Sequence, residues 1–132
     1  MSKFFKDYEF GLIQEHKILP VLREFLNDKT IYKLENSNVF DFKGDNKYIE
    51  LKSRHCILSK YPTTMLGLNK IQKASTLTEN VYFFFSFDDG LFYWLYNKDY
   101  EFEIKRGGPF DRGKFEIKEY CYIPIDMLTK VC

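Results

Sequence analysis

The first part of the chain places apolar and polar residues at helical spacing. Between Asp7 and about Asn27, hydrophobic side chains recur at intervals of three and four residues, which predicts an amphipathic helix. Asp7 is a suitable N-cap, because its carboxylate can accept hydrogen bonds from the first free backbone N–H groups. Pro20 lies inside this pattern, so either the helix is kinked there or a second helix begins with Pro20 in its first turn.

Short segments of β-forming residues follow the helix. Thr30–Leu34 predicts a first strand, since β-branched and aromatic residues favour extended structure. Val39–Phe42 and Lys47–Ser53 predict two more strands, and Lys43–Asn46 between them contains the Gly, Asp and Asn residues that a tight reversal needs. These segments therefore predict a β-hairpin, and Leu58–Thr64 after it predicts a loop.

A second helix and a buried strand are predicted next. The segment from Met65 to about Leu77 has helical periodicity, with Thr63 or Thr64 as its N-cap. Val81–Phe87 is almost continuously apolar and aromatic, which is typical of a strand covered on both faces, so we place it at the centre of the sheet.

The rest of the chain predicts small β elements around one flexible loop. Lys105–Lys114 contains three glycines, a proline and four basic residues against one acid, which predicts a mobile basic loop. The other predicted elements are a turn at Asp88–Gly90, strands at Leu91–Tyr96, Tyr100–Ile104, Phe115–Ile117 and Tyr120–Ile123, and a helical turn at Ile125–Leu128.

The composition is that of a folded domain with a balanced charge. Hydrophobic residues make up 45% of the 132 residues and the net charge is +1, so overall charge does not indicate nucleic acid. Three cysteines without a Cys-x-x-Cys pair, and no secretory segment, predict reduced thiols in the cytoplasm, or in the host cytoplasm if the protein is viral. Two distant histidines argue against a zinc site, and no apolar run reaches the ~20 residues of a membrane span.

The predicted hairpin concentrates charged residues on one face. Residues two apart on a strand point the same way, so Glu50 and Lys52 share a face, and a normal register brings Asp41 beside Glu50. Adjacent carboxylates repel each other, but a divalent metal removes the repulsion, and Mg²⁺ accepts one or two carboxylates together with phosphate oxygens. A solvated surface hairpin is the alternative interpretation.

Asp41 followed by Glu50-Leu51-Lys52 across a hairpin resembles the active-site motif of the PD-(D/E)XK, or restriction-endonuclease-like, nuclease superfamily. Phe40 stands where the family name has proline, a departure that is common in the superfamily. The predicted order of elements over residues 7–96 is similar to the αβββαβ core of these nucleases. The resemblance implies an α/β fold with a mixed central sheet flanked by helices. The length predicts a single domain spanning residues 1–132, in which residues 97–132 form a C-terminal β extension outside the resemblance.

The resemblance also implies an activity, hydrolysis of DNA phosphodiester bonds by a Mg²⁺- or Mn²⁺-dependent endonuclease. Asp41, Glu50 and the Leu51 backbone carbonyl would hold the metal, and Lys52 would position or activate the attacking water.

A helical glutamate suggests one branch of the superfamily. Glu15 stands four residues after Gly11 in the first predicted helix, an arrangement similar to that of small Holliday-junction resolvases, in which such an acid reaches towards the metal. Glu15 would therefore join the metal shell through water, with Glu9 and Glu24 as rival helical acids. A resolvase acts as a homodimer, because a junction needs two symmetric cuts.

Basic residues are segregated after the hairpin. No acid occurs between Ser53 and Thr78, which is the charge pattern expected beside a phosphate backbone. The alternatives are lysines on a solvated helix face and a plain surface loop at 105–114. The candidate DNA contacts are Arg54, Lys60, Lys70, Gln72, Lys73, Arg106 and Arg112.

Two further functions are compatible with the sequence. A catalytically inactive nucleic-acid-binding module of the same fold would bind DNA without needing a metal. A small protein-interaction domain would use exposed aromatic residues as a partner surface. The aromatic cluster at Tyr82, Tyr93, Trp94 and Tyr96 is a candidate base-stacking platform, but core packing is the favoured interpretation.

Overall fold

A computed structural model describes residues 15–107 and 118–132. The predicted cap at Asp7, the acid Glu9, the spacing from Gly11, the basic residue Arg112 and the strand at Phe115–Ile117 lie outside these ranges.

Helix α1 is described over residues 15–25 and is continuous through Pro20, so no second helix begins at this proline. Its end is a left-handed turn, in which Asn27 has φ 50°. The Asn27 N–H donates to the Glu24 carbonyl over 3.2 Å, and the Asp28 N–H donates to the Arg23 carbonyl over 2.9 Å. These two bonds satisfy carbonyls that a helix end otherwise leaves free.

The strands form two sheets in the described part of the chain. The larger sheet has the order β1-β2-β3-β5-β6-β9, and the smaller has the order β4-β8-β7. Their bounds are β1 (Tyr32–Lys33), β2 (Phe42–Gly44), β3 (Lys47–Ser53), β4 (Thr63–Gly67), β5 (Asn80–Phe87), β6 (Gly90–Leu95), β7 (Glu103–Gly107), β8 (Lys118–Pro124) and β9 (Thr129–Lys130).

The larger sheet is mixed, as predicted. Strands β3 and β5 are parallel, whereas the other neighbours in this sheet are antiparallel. A parallel pair needs a crossover connection, and helix α2 (Leu68–Ser75) lies within it. In the larger sheet, three strands precede α2 and β5 follows it, which confirms the predicted order of the core elements, with β4 of the smaller sheet inserted before the helix.

The larger sheet separates two hydrophobic cores. Alternate residues of β5, from Val81 to Phe87, pack with α2 and the smaller sheet, and Trp94 stacks on Phe83 at 6.1 Å between ring centroids. On the other face, Phe84 packs with Ile18 and other residues of α1. Strand β5 is thus covered on both sides, which confirms its predicted central position and the assignment of Trp94 to the core.

The prediction that the second helix begins at Met65 is wrong. Residues Thr63–Gly67 form strand β4, and Gly67, rather than Thr63 or Thr64, is the N-cap of α2. Thr64 and Leu66 are buried on one side of β4, with Leu66 opposite Cys121 of β8. Pairing with a strand more than fifty residues away overrides the local helical pattern.

Other element boundaries also differ from the predictions. Residues Val39–Asp41 form a bend, so the first strand of the hairpin begins at Phe42. Lys105 and Arg106 belong to strand β7 rather than to a loop, because they pair with β8. Strand β9 was not predicted, whereas Pro124 ends β8 and a 3₁₀ turn follows at Ile125–Met127, as predicted. None of the described helices is long and apolar enough to cross a lipid bilayer.

Candidate active site

The β2–β3 hairpin brings Asp41 and Glu50 together. Phe42 pairs with Ile49, and the Asp41 N–H donates to the Ile49 carbonyl over 3.0 Å, so the next position along β3 is Glu50. The Asp41 carboxylate accepts the Leu51 N–H at Oδ2 over 2.8 Å, which fixes the side chain against β3. Asn46 turns the chain with φ 54°, the positive value expected at this position.

Glu50 is a buried carboxylate whose two oxygen atoms have different surroundings. It is only 1% exposed, and its Oε2 atom lies 3.0 Å from Lys70 Nζ and 3.4 Å from Lys52 Nζ. Its Oε1 atom is buried and has no hydrogen-bond partner among the described residues. Burial, reinforced by the negative charge of Asp41, raises the pKa of Glu50 to about 7, although the two lysines oppose the change.

Glu15 approaches Asp41 from helix α1. Its Oε2 atom lies 2.9 Å from Lys33 Nζ on β1. Burial raises the pKa of Glu15, Lys33 lowers it, and the nearby Asp41 carboxylate raises it further. The structure thus brings Glu15 to Asp41, whereas Glu24 is exposed. Lys33 was not predicted to be a site residue. The alternation of residues in its short strand gives no indication that the Lys33 ammonium group pairs with Glu15.

Two lysines reach Glu50 from different elements. Lys52 lies on β3 itself, and about a third of its side chain (34%) is exposed. Lys70 extends from α2, is mostly buried, and donates to the Val39 carbonyl as well as to Glu50. Lys70 was predicted to contact DNA, but its ammonium group is held inside the site. The phase of α2, which buries Ile71 and Ala74 against the sheet, decides this placement, and the sequence did not fix that phase.

Arg54 connects two strands beneath the surface. Its Nε atom donates to Thr64 Oγ1 over 3.4 Å and its Nη2 atom donates to the Met65 carbonyl over 2.5 Å. Burial lowers the pKa of Arg54. The guanidinium group therefore ties the end of β3 to β4, instead of lying on an exposed surface.

The other candidate DNA contacts in the described ranges are exposed and lie on different elements. Gln72 and Lys73 lie on the outer face of α2. Lys60 follows the hairpin, with its Nζ atom 5.5 Å from the centroid of the Tyr61 ring. Arg106 stands opposite Glu119 across β7 and β8, a pairing that sets a negative charge beside it. These candidate contacts therefore come from α2, from β7 and from the segment between the hairpin and β4.

The carboxylates near Asp41 do not form a complete metal cage. Within the described ranges, no three His, Cys, Asp or Glu side chains are grouped closely enough to hold an ion. Two carboxylates are nevertheless a sufficient protein contribution for Mg²⁺, which keeps several waters. Glu50 Oε1, which has no hydrogen-bond partner in the described part of the chain and lies beside Asp41, is the kind of hard oxygen donor that such an ion accepts. Asp41 and Glu50 therefore fit a divalent cation.

Comparison with known proteins identifies the family. Residues 15–131 match the family described as "Phage putative PDDEXK endonuclease". Neither the search of curated proteins nor the search of solved structures found a match. The family match spans both sheets and includes Asp41, Glu50 and Lys52. The chain therefore belongs to the phage PD-(D/E)XK endonuclease family.

Proposed function

We propose that this chain is a divalent-metal-dependent endonuclease that hydrolyses DNA phosphodiester bonds at Asp41, Glu50 and Lys52. The observation that carries the proposal is the state of Glu50, which is buried beside a second carboxylate and has one oxygen without a partner in the described residues. Such an arrangement costs stability, and perturbed carboxyl groups of this kind cluster at functional sites.

Asp41 and Glu50 would hold the cation, with the Leu51 carbonyl as a further oxygen donor and Glu15 acting through water. Oxygen donors of this type suit Mg²⁺ or Mn²⁺. When bound, the metal supplies a water of lowered pKa and a positive charge that stabilises the developing charge on phosphorus. Asp41 is already held in place for this role by the Leu51 N–H.

The two lysines have different roles in this proposal. Lys52 is partly exposed, so its ammonium group can reach a water or a phosphate oxygen in front of the sheet. Lys70 is held between Glu50 and the Val39 carbonyl, so it orients the Glu50 carboxylate and offsets its charge. We assign Lys52 as the catalytic lysine and Lys70 as a positioning residue.

We extend the proposal to DNA binding and assembly. Exposed Lys60, Lys73 and Arg106 would contact the phosphate backbone as point charges. The proximity of Glu15 to Asp41 supports a branched-DNA, or Holliday-junction, resolvase. The resolvase proposal requires a homodimer. A monomer at micromolar concentration in analytical ultracentrifugation would contradict it.

A DNA-binding module without catalysis is the second candidate. One observation favours it: Lys52 and Lys70 already neutralise Glu50, so the site is electrostatically satisfied in part without a metal. Calorimetric titration with Mn²⁺ separates the candidates, because the module should not bind the metal at Asp41 and Glu50.

Cleavage assays test the leading proposal directly. A labelled four-way junction and a linear duplex would be incubated with Mg²⁺, Mn²⁺ or EDTA. We expect metal-dependent cleavage that is lost in Asp41→Asn and in Lys52→Ala, with circular dichroism unchanged. Asp45→Asn is the matched control, because Asp45 is exposed in the turn of the same hairpin. Undiminished turnover in either site variant would contradict the assignment, and cleavage of the junction alone would identify a resolvase.

A further inference from the structure

A pocket of about 390 Å³ opens beyond the end of β3, where the two sheets meet. It lies outside the carboxylate site. Its walls combine one guanidinium group with aromatic and apolar side chains. The residues that matter here are Arg54, Tyr61, Pro62, Met65, Phe87 and Tyr122.

The pocket is continuous with the candidate active site along one strand. Arg54 continues the pairing of β3, because its N–H donates to the Ser86 carbonyl over 2.8 Å. Side chains two apart on a strand share a face, so Arg54 follows Glu50 and Lys52 on the same side of the sheet. At the rise of a strand, Arg54 is about 7 Å beyond Lys52. A nucleic-acid strand at Lys52 therefore passes the pocket within a few nucleotides.

The guanidinium of Arg54 is unusual in its surroundings. It is largely withdrawn from water, and among the described residues no carboxylate lies within ion-pair distance. Its two hydrogen bonds use Nε and Nη2, and within residues 15–107 and 118–132 Nη1 donates none. Burying a cation among apolar groups is costly without a partner. An electron-rich ligand in the pocket would supply hydrogen-bond acceptors for it.

Tyr61 supplies a flat surface at the mouth of the same pocket. It is 57% exposed, which is high for a large aromatic side chain, and Lys60 Nζ lies 5.5 Å from the centroid of its ring. Among the described residues, none of those that line the pocket is acidic; the carboxylate beside it is that of Asp89, which accepts the N–H of the lining residue Leu58 over 2.9 Å. Aromatic rings beside basic groups are the usual means of holding unpaired bases.

We propose that this pocket receives one unpaired nucleobase of the substrate, with the face of the base on Tyr61 and its acceptor edge on Arg54. Guanine presents two acceptors, O6 and N7, on one edge and matches an arginine best. The inference rests on the proposed nuclease function and specifies its substrate class. The preferred DNA carries an unpaired or extruded nucleotide near the cut, as a bulge or a branch point does.

Binding in EDTA tests the proposal independently of cleavage. The probes are two end-labelled duplexes of the same sequence, one fully paired and one with a single bulged guanine, and the readout is fluorescence anisotropy. We expect wild-type protein to bind the bulged duplex more tightly by about 5- to 100-fold, the range for stacking of one base on an aromatic ring. Tyr61→Ala should remove this preference, and Tyr61→Phe should retain it.

Tyr32→Ala is the matched control, because Tyr32 is 50% exposed on β1, outside the pocket. It should retain the preference even if its overall affinity changes. Equal affinity of wild-type protein for both duplexes, or a preference that survives Tyr61→Ala, would overturn the proposal. If the protein cleaves DNA with metal but does not prefer the bulged duplex, the pocket proposal is refuted and the nuclease proposal stands. If it prefers the bulged duplex but does not cleave DNA, the nuclease proposal is refuted and the pocket proposal stands.

Discussion

Replacing Glu50 by glutamine should stabilise the metal-free protein while abolishing its activity. Glutamine keeps the size of the side chain and removes the buried charge. In the wild type, burial and the neighbouring Asp41 raise the pKa of Glu50 from 4.5 to about 7. The folded state therefore holds the carboxylate at a cost whenever the solution is neutral or alkaline.

The size and sign of this cost follow from the two pKa values. Below about pH 4.5 the Glu50 carboxyl is protonated in folded and unfolded chains alike, and the wild type has its full stability. Between pH 4.5 and about 7 the unfolded chain releases the proton first, so stability falls as pH rises. Above about pH 7 the loss of stability no longer changes with pH. A tenfold change in proton affinity corresponds to about 1.4 kcal/mol, so the full loss is about 3 kcal/mol.

Urea denaturation in EDTA measures the effect. We expect Glu50→Gln to exceed the wild type in free energy of unfolding by about 3 kcal/mol near pH 8 and by about 1 kcal/mol near pH 5. Glu35→Gln is the control, because Glu35 is exposed and should change neither value. Equal stability of Glu50→Gln and wild type near pH 8 would refute the reasoning. Added Mg²⁺ should stabilise the wild type more than Glu50→Gln, since the variant lacks one of the two carboxylates proposed to hold the metal.

Two further predictions concern the surroundings of the site. Gly44→Ala should destabilise the fold by about 1–3 kcal/mol, because a Cβ atom would lie 2.6 Å from the buried Asp28 carboxylate. Gly67→Ala is its control, since there the crowding atom ends a flexible side chain, and thermal denaturation compares the two variants. Lys70→Ala should lower kcat, because Glu50 loses its closest cation, whereas Lys73→Ala should change only DNA affinity and its salt dependence. A normal kcat for Lys70→Ala would contradict the positioning role.

Local patterns were sufficient to predict the hairpin that brings the two carboxylates together. The Gly-Asp-Asn turn predicted the hairpin, and the period of two along β3 then placed Glu50 beside Asp41. The apolar run of β5 predicted its central position, because few other environments accept so many consecutive hydrophobic residues. In these segments the nearest neighbours in sequence decide the structure.

Contacts between distant segments were not predictable from the sequence. Strand β4 exists because it pairs with β8, and nothing within Thr63–Gly67 indicates that partner. The same pairing occupies Thr63–Gly67, so α2 begins at Leu68, and the contact of Lys70 with Glu50 depends on how this helix packs on the sheet. Arg54 was predicted to contact DNA because it is a charged residue in a basic segment. The sequence does not indicate that β4 packs against it.

The parallel pairing of β3 with β5 also has a consequence for the order of folding. The β2–β3 hairpin is a local structure, of a kind that closes in about 1–10 µs, and it alone brings Asp41 to Glu50. Covering Glu50 requires β5 and α2, so the whole segment between Ser53 and Asn80 must be placed first. We therefore expect the acid pair to form early, in water, and to be dehydrated late. Near neutral pH, completion of folding should therefore draw a proton from the solvent, in the step that closes the parallel pair.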